Sequence, residues 1–126
     1  MKFLGIDYGT KRVGLALSDE EGRVAFPKMI LENNPQLIEK LKIFASENKA
    51  EGIVVGESLL STGEENKIMA EARAFAERLG KGAELPVFFE KEFFTSVEAR
   101  RHQEHTEVDD SAAALILQRY LDRQKG

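Results

Sequence analysis

Residues 3–14 constrain the fold of this chain more than any other part of the sequence. An apolar run ends at Asp7, a turn containing Gly9 follows, and a second apolar run begins after two basic residues. Two short runs rich in Val, Ile and Leu around a glycine turn are typical of a β-hairpin. Because side chains alternate along a strand, Asp7 shares a face with Phe3 and Gly5. The pattern therefore predicts a carboxylate held at the rigid end of a strand, unless Asp7 only starts the turn.

The hairpin is predicted to continue into a three-stranded antiparallel meander. Residues 12–18 form the second predicted strand and residues 23–31 the third, with a turn at 19–22 between them. Pro27 lies inside the third strand and has no N–H to donate to a sheet. The third strand is therefore predicted at an edge of the sheet, where such a position is tolerated.

Beyond the meander, the pattern changes to an alternation of helices and strands. Asn34 and Pro35 are typical of the start of a helix. A capping box at 61–65 begins a second helix, which Gly80 is predicted to end. The other predicted elements are strands at 52–56 and 85–89, a short helix capped at 95–98, and a final helix from Asp109 to about Arg123.

Three meandering strands followed by two strand–helix units predict an α/β fold, in a single domain spanning residues 1–126. The predicted sheet is mixed and five-stranded, with an antiparallel meander, then parallel strands, and helices on both faces. Functional sites in such sheets form at the carboxyl ends of the parallel strands. The candidate positions are therefore Asp7, Gly56 with Glu57, and residues 89–94.

The composition excludes several classes of function. The chain has 126 residues, no cysteine, 42% hydrophobic and 32% charged residues, and a net charge of −4 with a pI near 5.3. These values are typical of a soluble globular protein, and they exclude disulfides, thiol chemistry and cysteine-based zinc sites. There is no membrane-spanning run and no signal-peptide pattern, so we expect a cytoplasmic protein without a membrane partner.

Because the chain is acidic as a whole, binding to nucleic acid would require a local basic face. Basic residues cluster at three places, and each cluster can equally be a solvated surface. The clusters are Lys11 with Arg12, then Arg100, Arg101, His102 and His105, then Arg119, Arg123 and Lys125.

The final predicted helix carries a candidate acid at its start. Asp109 precedes the first residue of the apolar stripe, Ala113, by one helical turn and should therefore face the sheet. A carboxylate there either stabilises the helix dipole or belongs to a buried polar site. Near the predicted strand ends, Glu90 and Glu92 share a face by alternation, and Glu57, which follows Gly56 at another strand end, could reach the same edge.

Asp7, Glu92 and Asp109 are each predicted at the end of an element on the same side of the sheet. Three converging carboxylates repel one another and require a compensating cation. A set of oxygen ligands without cysteine is typical of hard cations such as Mg²⁺ or Mn²⁺. Two such ions about 3.5–4 Å apart are the usual device for phosphodiester hydrolysis. The pattern therefore indicates a divalent-metal site of the kind used in phosphodiester hydrolysis, with these three acids as candidate ligands, although each acid taken alone can also be explained as a turn or helix-capping residue.

The sequence also resembles a known family over nearly its whole length. Residues 5–16 and 108–117 are similar to the signature blocks of the YqgF family, which comprises RuvX-like bacterial proteins with an RNase H-like fold. Weaker blocks lie between them in the expected order, at 53–56, 63–65, 85–87, Glu92, and Thr95 with Ser96. The resemblance implies a pre-16S rRNA nuclease, and the family was earlier associated with the resolution of Holliday junctions.

The resemblance implies a catalytic triad at Asp7, Glu92 and Asp109. It also implies that the family's Lys-Arg pair, here Lys11 and Arg12, contacts phosphates. Two departures are visible: Lys91-Glu92-Phe93 stands where the family usually has Asp-Glu-Arg, and Glu57-Ser58 where it tends to have Leu-Pro. The departures keep the triad, change the expected substrate contacts, and make Glu57 a candidate fourth carboxylate.

The main hypothesis is a nuclease that processes the 5′ end of pre-16S rRNA with two Mg²⁺ or Mn²⁺ ions. Lys11, Arg12, Arg100 and Arg101 are the residues expected to position the phosphate backbone. The alternatives are a Holliday junction resolvase acting on branched DNA and a non-catalytic nucleic-acid-binding descendant. A nucleotide-binding module is a further alternative, since Asp-x-Gly-Thr also resembles the phosphate loop of actin-like ATPases and sugar kinases. We expect a monomer or a weak homodimer.

Overall fold

The computed structural model describes residues 1–60, 68–94 and 110–124, and at positions 58–60, 92–94 and 110–111 it describes the backbone alone. Within these ranges the chain forms five strands and three helices. The strands are β1 (Phe3–Tyr8), β2 (Arg12–Ser18), β3 (Ala25–Glu32), β4 (Gly52–Leu60) and β5 (Val87–Phe94). The helices are α1 (Leu37–Glu47), α2 (Met69–Ala83) and α3 (Asp110–Gln124).

The strands form one mixed sheet in the order β3-β2-β1-β4-β5. The pairs β1–β2 and β2–β3 are antiparallel, and the pairs β1–β4 and β4–β5 are parallel. The predicted five-stranded mixed sheet is therefore confirmed. The third strand lies at an edge, as Pro27 indicates, and its register with β2 shifts between Leu15 and Ala16.

Helices cover both faces of the sheet, which confirms the predicted layering. One face packs against α1 and α2, and the other packs against α3. Alternation along β1 explains the division, since Leu4 and Ile6 belong to the first core and Phe3 to the second. The first core also contains Val13, Leu15, Leu41, Ile53, Val55, Phe75 and Leu79, and the second contains Ala16, Val54, Ala113, Ile116, Leu117 and Leu121.

Two glycines allow α3 to lie close to the sheet. A Cβ atom at Gly5 of β1 would lie 2.8 Å from Cβ of Leu117, and one at Gly56 of β4 would lie 2.7 Å from Cδ1 of Ile116. Both distances are too short between carbon atoms, so a side chain at Gly5 would push against the backbone of α3, and one at Gly56 would have to displace the flexible end of Ile116. These contacts fix α3 across β1 and β4, and they fix where its first turn lies.

The predicted end of the second helix is wrong. The helix continues past Gly80 to Ala83, and the left-handed residue that ends it is Glu84, with φ of 56°. Gly80 has a different role, because a Cβ atom there would lie 2.7 Å from Cγ2 of Val87. The glycine therefore lets the helix approach β5, and this contact cannot be recognised from local sequence.

Several predicted boundaries also shift. Helix α1 begins at Leu37, and Asn34 stabilises the preceding turn by accepting a hydrogen bond from the N–H of Gln36 at 3.0 Å. Strands β4 and β5 remain paired as far as Leu60 and Phe94. Glu90 and Glu92 therefore lie inside β5 and not after it, because the parallel pairing continues beyond the apolar runs.

No helix in the described part of the chain is long and apolar enough to cross a membrane.

Candidate functional site

Asp7 lies at the carboxyl end of β1, on the face of the sheet that α3 covers. It is opposite Gly14 of β2, and the preceding residue Ile6 is paired with Val55 of β4. Only 6% of Asp7 is exposed, and the residue interacts with other groups of the chain. An ionised carboxylate is costly to bury unless charge or hydrogen bonds compensate for the lost water. Its position confirms the predicted strand-end placement and the face predicted by alternation.

The first turn of α3 lies at the same end of the sheet. The carbonyl oxygen of Ala113 would lie 3.2 Å from a Cβ atom at Gly5, whereas the ring of Tyr120 contacts that of Phe3 at 5.4 Å between centroids. The helix therefore runs antiparallel to β1. Asp110 precedes Ala113 by about 4.5 Å along the helix, and Asp7 follows Gly5 by about 6.6 Å along the strand. The helix thus begins at the level of Asp7.

The other two predicted acids are described only in part. The structure describes the backbone of Glu92, which lies in β5 opposite Ser58 of β4, and does not describe its side chain. Asp109 lies outside the described residues, directly before the start of α3 in the sequence. The structure therefore places Asp7, the strand position of Glu92 and the start of α3 on one end of the sheet.

A second buried acid occurs in the same row of the sheet as Asp7. Glu90 of β5 is paired with Gly56 of β4 and is 5% exposed. Its carboxylate forms an ion pair with Arg123 near the end of α3, so this acid also lies on the α3 face. The ring of Tyr120 lies in the same region, where burial raises the pKa of its hydroxyl, Arg123 lowers it and Glu90 raises it.

Glu57 does not join these acids, which corrects the expectation of a fourth carboxylate. Its side chain is 14% exposed and lies 3.4 Å from the guanidinium of Arg73 on α2. Arg73 in turn lies over the ring of Phe89, at 5.1 Å from the centroid. Because Gly56 faces α3, alternation places Glu57 on the opposite face of the sheet, away from Asp7.

The structure describes two of the four predicted phosphate-binding residues. Arg12 of β2 is two residues from Gly14, the partner of Asp7, and therefore shares a face with Asp7. Such diagonal neighbours in an antiparallel pair lie about 7–8 Å apart between Cα atoms. Arg12 is also opposite Glu32 of β3, and it has interactions with other groups of the chain. Lys11 is exposed in the turn, and Arg100 and Arg101 lie outside the described residues.

Two residues that the sequence analysis did not single out support the turn between β1 and β2. Asn33 donates a hydrogen bond from Nδ2 to the carbonyl oxygen of Gly9 at 2.8 Å. Tyr8 donates from its hydroxyl to Oε2 of Glu71 at 2.9 Å and packs on Phe75. Burial raises the pKa of Tyr8, and the side chain of Asn33 opposes this shift. No local sequence signal identifies either contact, since both partners are distant in the chain.

The chemistry of the site is that of oxygen ligands. No group of three or more histidines and acids with metal-binding geometry occurs among the residues that the structure describes, which include neither the Glu92 side chain nor Asp109. Asp7 supplies a buried carboxylate at the carboxyl end of the sheet. That donor fits a hard divalent cation, which binds carboxylate oxygens.

Comparison with known proteins finds a matching family model and similar relatives. The family model described as "RuvX: Holliday junction resolvase" matches residues 1–123. A protein of Nitratidesulfovibrio vulgaris (strain DSM 19637 / Miyazaki F) named "Putative pre-16S rRNA nuclease" is 38% identical over 133 residues, which cover 97% of this chain and 94% of the relative. A protein of the same name from Oleidesulfovibrio alaskensis is 35% identical over 133 residues, covering 97% and 92% of the two chains.

Solved structures share the fold at low sequence identity. The structure of Thermus thermophilus RuvC in complex with a Holliday junction substrate superposes with a TM-score of 0.58 and 15% identity, covering 100% of this chain and 97% of that chain. At this identity the likeness shows the fold, which is the RuvC-like form of the RNase H fold. The family model and the relatives span nearly the whole sequence, and the chain therefore belongs to the RuvX family, as the resemblance to YqgF proteins implies.

Proposed function

We propose that this protein is a metal-dependent nuclease that hydrolyses phosphodiester bonds at the 5′ end of precursor 16S rRNA. The observation that carries the proposal is the buried carboxylate of Asp7 at the carboxyl end of β1, level with the start of α3. Membership of the RuvX family and the names of the relatives support the same reaction. In an open α/β sheet this end is where ligands bind.

Asp7, Glu92 and Asp109 are the residues that would hold Mg²⁺ or Mn²⁺, in a site for two ions. Ions bound there supply an activated water and stabilise the charge on the leaving oxygen. Asp7 is held in a paired strand by β2 and β4, so its carboxylate is positioned before any ligand binds. The first turn of α3 brings the positive end of a helix dipole to the same place, which favours the ionised form of nearby acids.

Lys11 and Arg12 are the proposed contacts to the phosphate backbone. Lys11 is exposed in the turn, so its side chain can follow a flexible nucleic-acid strand. Arg12 is half-buried on the same face of the sheet as Asp7. Because β2 is paired with β1, the guanidinium of Arg12 can hold a phosphate group beside the carboxylate of Asp7. Arg100 and Arg101 complete the proposed set. Contacts of this kind fix the register of the substrate and carry no base sequence.

A second candidate function is the resolution of Holliday junctions. The description of the matching family model names this activity, and the RuvC structure with the same fold contains a junction. Both substrates reach the acids as phosphodiesters, and the described residues include no element that reads bases in RNA alone. We favour RNA because the relatives at 35–38% identity are named for it. We further propose a cytoplasmic protein that acts as a monomer or a weak homodimer.

The deciding experiment compares the two substrates directly. The protein is incubated with Mg²⁺ or Mn²⁺ and either a precursor 16S rRNA fragment with an extended 5′ end or a four-way DNA junction. We expect cleavage of the RNA near the mature 5′ end, loss of cleavage with a chelator, and slow or absent cleavage of the junction. Preferred cleavage of the junction would favour the second candidate.

Metal binding provides a readout that does not depend on cleavage. Titration calorimetry with Mn²⁺ should show binding at millimolar concentrations or below, and Asp7→Asn should weaken it. Binding of nucleic acid without cleavage or metal uptake would instead indicate a non-catalytic descendant, and it would contradict the proposed reaction.

A further inference from the structure

Asn33 holds the turn between β1 and β2 at two points. Its backbone N–H donates to the carbonyl oxygen of Lys11 at 2.8 Å, and its side-chain Nδ2 donates to the carbonyl oxygen of Gly9 at 2.8 Å. The two carbonyl groups lie on either side of Thr10. One residue that is 24 positions away from Gly9 therefore fixes both halves of the turn.

The location of Asn33 explains why it can reach both carbonyls. It follows directly on Glu32, the last residue of β3, and Glu32 is in register with Arg12 of β2. The backbone bond to Lys11 continues the pairing of β2 and β3 by one residue. The side-chain bond then carries the support across to the β1 side of the turn. Asn33 is half-buried, so both bonds are partly shielded from competing water.

The turn connects the candidate acid with the candidate phosphate contacts. Gly9 is two residues beyond Asp7, and Lys11 and Arg12 follow directly on Thr10. A shift of the turn therefore moves the cations relative to the carboxylate. Reacting groups need near-exact placement, and a displacement of about 1 Å can lower a rate about 100-fold.

We propose that Asn33 is a positioning residue that fixes the Gly9–Thr10–Lys11 turn, so that a phosphate held by Lys11 and Arg12 is aligned with Asp7. The proposal rests on the proposed nuclease function. Asn33 does not contact the substrate in this role, and it acts through the two carbonyl groups that it binds.

The neighbouring residue provides a matched control. Asn34 has the same side chain, is also half-buried, and accepts a hydrogen bond from the N–H of Gln36 at the start of α1. Asn34→Ala removes support from the helix start, whereas Asn33→Ala removes support from the turn. Asn33→Asp keeps the size of the side chain and replaces the donor with an oxygen that repels the carbonyl of Gly9. Asn33→Gln keeps the amide on a longer chain and should rescue part of the effect.

The experiment measures three quantities for each variant below its melting temperature. These are hydrogen–deuterium exchange of the peptide containing residues 8–13, the affinity for a single-stranded RNA fragment over a series of salt concentrations, and the single-turnover cleavage rate. For Asn33→Ala and Asn33→Asp we expect exchange in the turn to rise at least about tenfold. The cleavage rate at saturating RNA should fall about 10–100-fold, which a loss of global stability alone would not produce.

The dependence of affinity on salt separates positioning from direct contact. Asn33 carries no charge, so the slope of log Kd against log salt concentration should match the wild-type slope in its variants. Lys11→Ala should reduce that slope by about 0.7, the value for one phosphate contact in a single strand. Asn34→Ala should lower the melting temperature and leave the turn exchange and the cleavage rate within about twofold of the wild type.

The positioning role would be overturned if the turn of Asn33→Ala exchanged at the wild-type rate. It would also be overturned if Asn33→Ala cleaved RNA at the same rate as Asn34→Ala. If the wild type cleaves neither RNA nor junction, the proposed nuclease function fails separately. The role of Asn33 is then decided by exchange and RNA affinity. The role is supported if Asn33→Ala exchanges faster in the turn and binds RNA at least about threefold more weakly than Asn34→Ala does. The absence of either effect overturns it.

Discussion

Asp7 and Glu90 are both buried acids on the α3 face, and they lie in one row of the sheet on either side of Gly56. Their surroundings differ. The carboxylate of Glu90 forms an ion pair with Arg123 and lies near the ring of Tyr120. Asp7 lies where β1 ends, beside the turn that carries Lys11 and level with the first turn of α3. Burial alone therefore does not identify a functional acid, because one of the two is explained by a structural ion pair.

The two ends of α3 account for this difference in electrostatic terms. The first turn of a helix carries exposed N–H groups and favours anions, whereas the last turn favours cations such as Arg123. Arg123 therefore stabilises the helix end and the Glu90 carboxylate together. The start of the helix has the opposite polarity, which suits a cluster of acids that binds a cation. We therefore propose that Glu90 contributes to stability and Asp7 to the reaction, and variants of the two acids and of their neighbours test this division.

The largest expected effect is that of Asp7→Asn. The substitution keeps the size of the side chain and removes its charge, so the cleavage rate should fall at least about 1,000-fold, or roughly 4 kcal/mol of transition-state stabilisation. The melting temperature should stay the same or rise, because a buried charge is removed. Single-turnover cleavage assays and thermal unfolding check the two halves. A variant that cleaves at the wild-type rate would remove Asp7 from the site.

Gly5→Ala should have the next largest effect, because it forces α3 away from β1. The added carbon would meet Cβ of Leu117 at 2.8 Å and the carbonyl oxygen of Ala113 at 3.2 Å, and neither atom can rotate away. Overpacking of this kind costs about 1–3 kcal/mol. The displaced helix start should also lower the cleavage rate about tenfold at a temperature where the protein is folded.

Gly56→Ala is the matched control for this displacement. Its closest contact is Cδ1 of Ile116 at 2.7 Å, and that atom is the flexible end of a side chain. The loss of stability should therefore be smaller than in Gly5→Ala, as measured by denaturant unfolding. Equal losses in the two variants would mean that α3 is not held tightly at Gly5.

Glu90→Gln should affect stability and leave cleavage nearly unchanged. Arg123 is 60% exposed, so water screens the ion pair and its removal should cost about 1 kcal/mol. For a chain of this length that corresponds to a fall of about 3–6 °C in melting temperature. Arg123→Gln should give a larger fall, because it leaves the buried Glu90 carboxylate without its ion-pair partner. A loss of cleavage in Glu90→Gln that is close to the loss in Asp7→Asn would break the comparison, since Glu90 would then belong to the functional site.

The sequence predicted the pairing of the first three strands, the edge position of β3 and the face of Asp7. These features depend on local alternation, a glycine turn and Pro27, all of which are visible in a short window. The resemblance to YqgF proteins also predicted the family of the chain and its RNase H-like fold. The position of Glu57 was misjudged because the parallel pairing continues beyond the apolar run at 52–56, so that alternation turns Glu57 toward Arg73.

The remaining features depend on contacts between distant residues. Arg123 lies 33 positions from Glu90, and Asn33 lies 24 positions from Gly9. Gly80 is typical of a helix end in sequence, yet in the structure the absence of its side chain lets α2 pack closely against Val87. No window of the sequence shows which distant partner a polar residue or a glycine will meet. The structural role of Glu90 and the positioning role proposed for Asn33 were therefore out of reach.

The smallest expected effect concerns the ionisation of Tyr120, which reports on Glu90 without any substrate. Burial raises the pKa of Tyr120, Arg123 lowers it and Glu90 raises it. A raised pKa in the folded state adds stability that is present below about pH 10 and is lost as the pH rises through the folded value. Glu90→Gln should therefore lower the pKa of Tyr120, and Arg123→Gln should raise it.

Tyr120 can be measured alone because the chain contains two tyrosines and Tyr8 can be replaced. In a Tyr8→Phe background, the ultraviolet absorbance of tyrosinate during an alkaline titration reports Tyr120 only. Asp7→Asn in the same background should leave this titration unchanged, because Asp7 is two strands from β5. A shift that follows Asp7 and not Glu90 would mean that the two acids are coupled. Their division into a functional and a structural carboxylate would then fail.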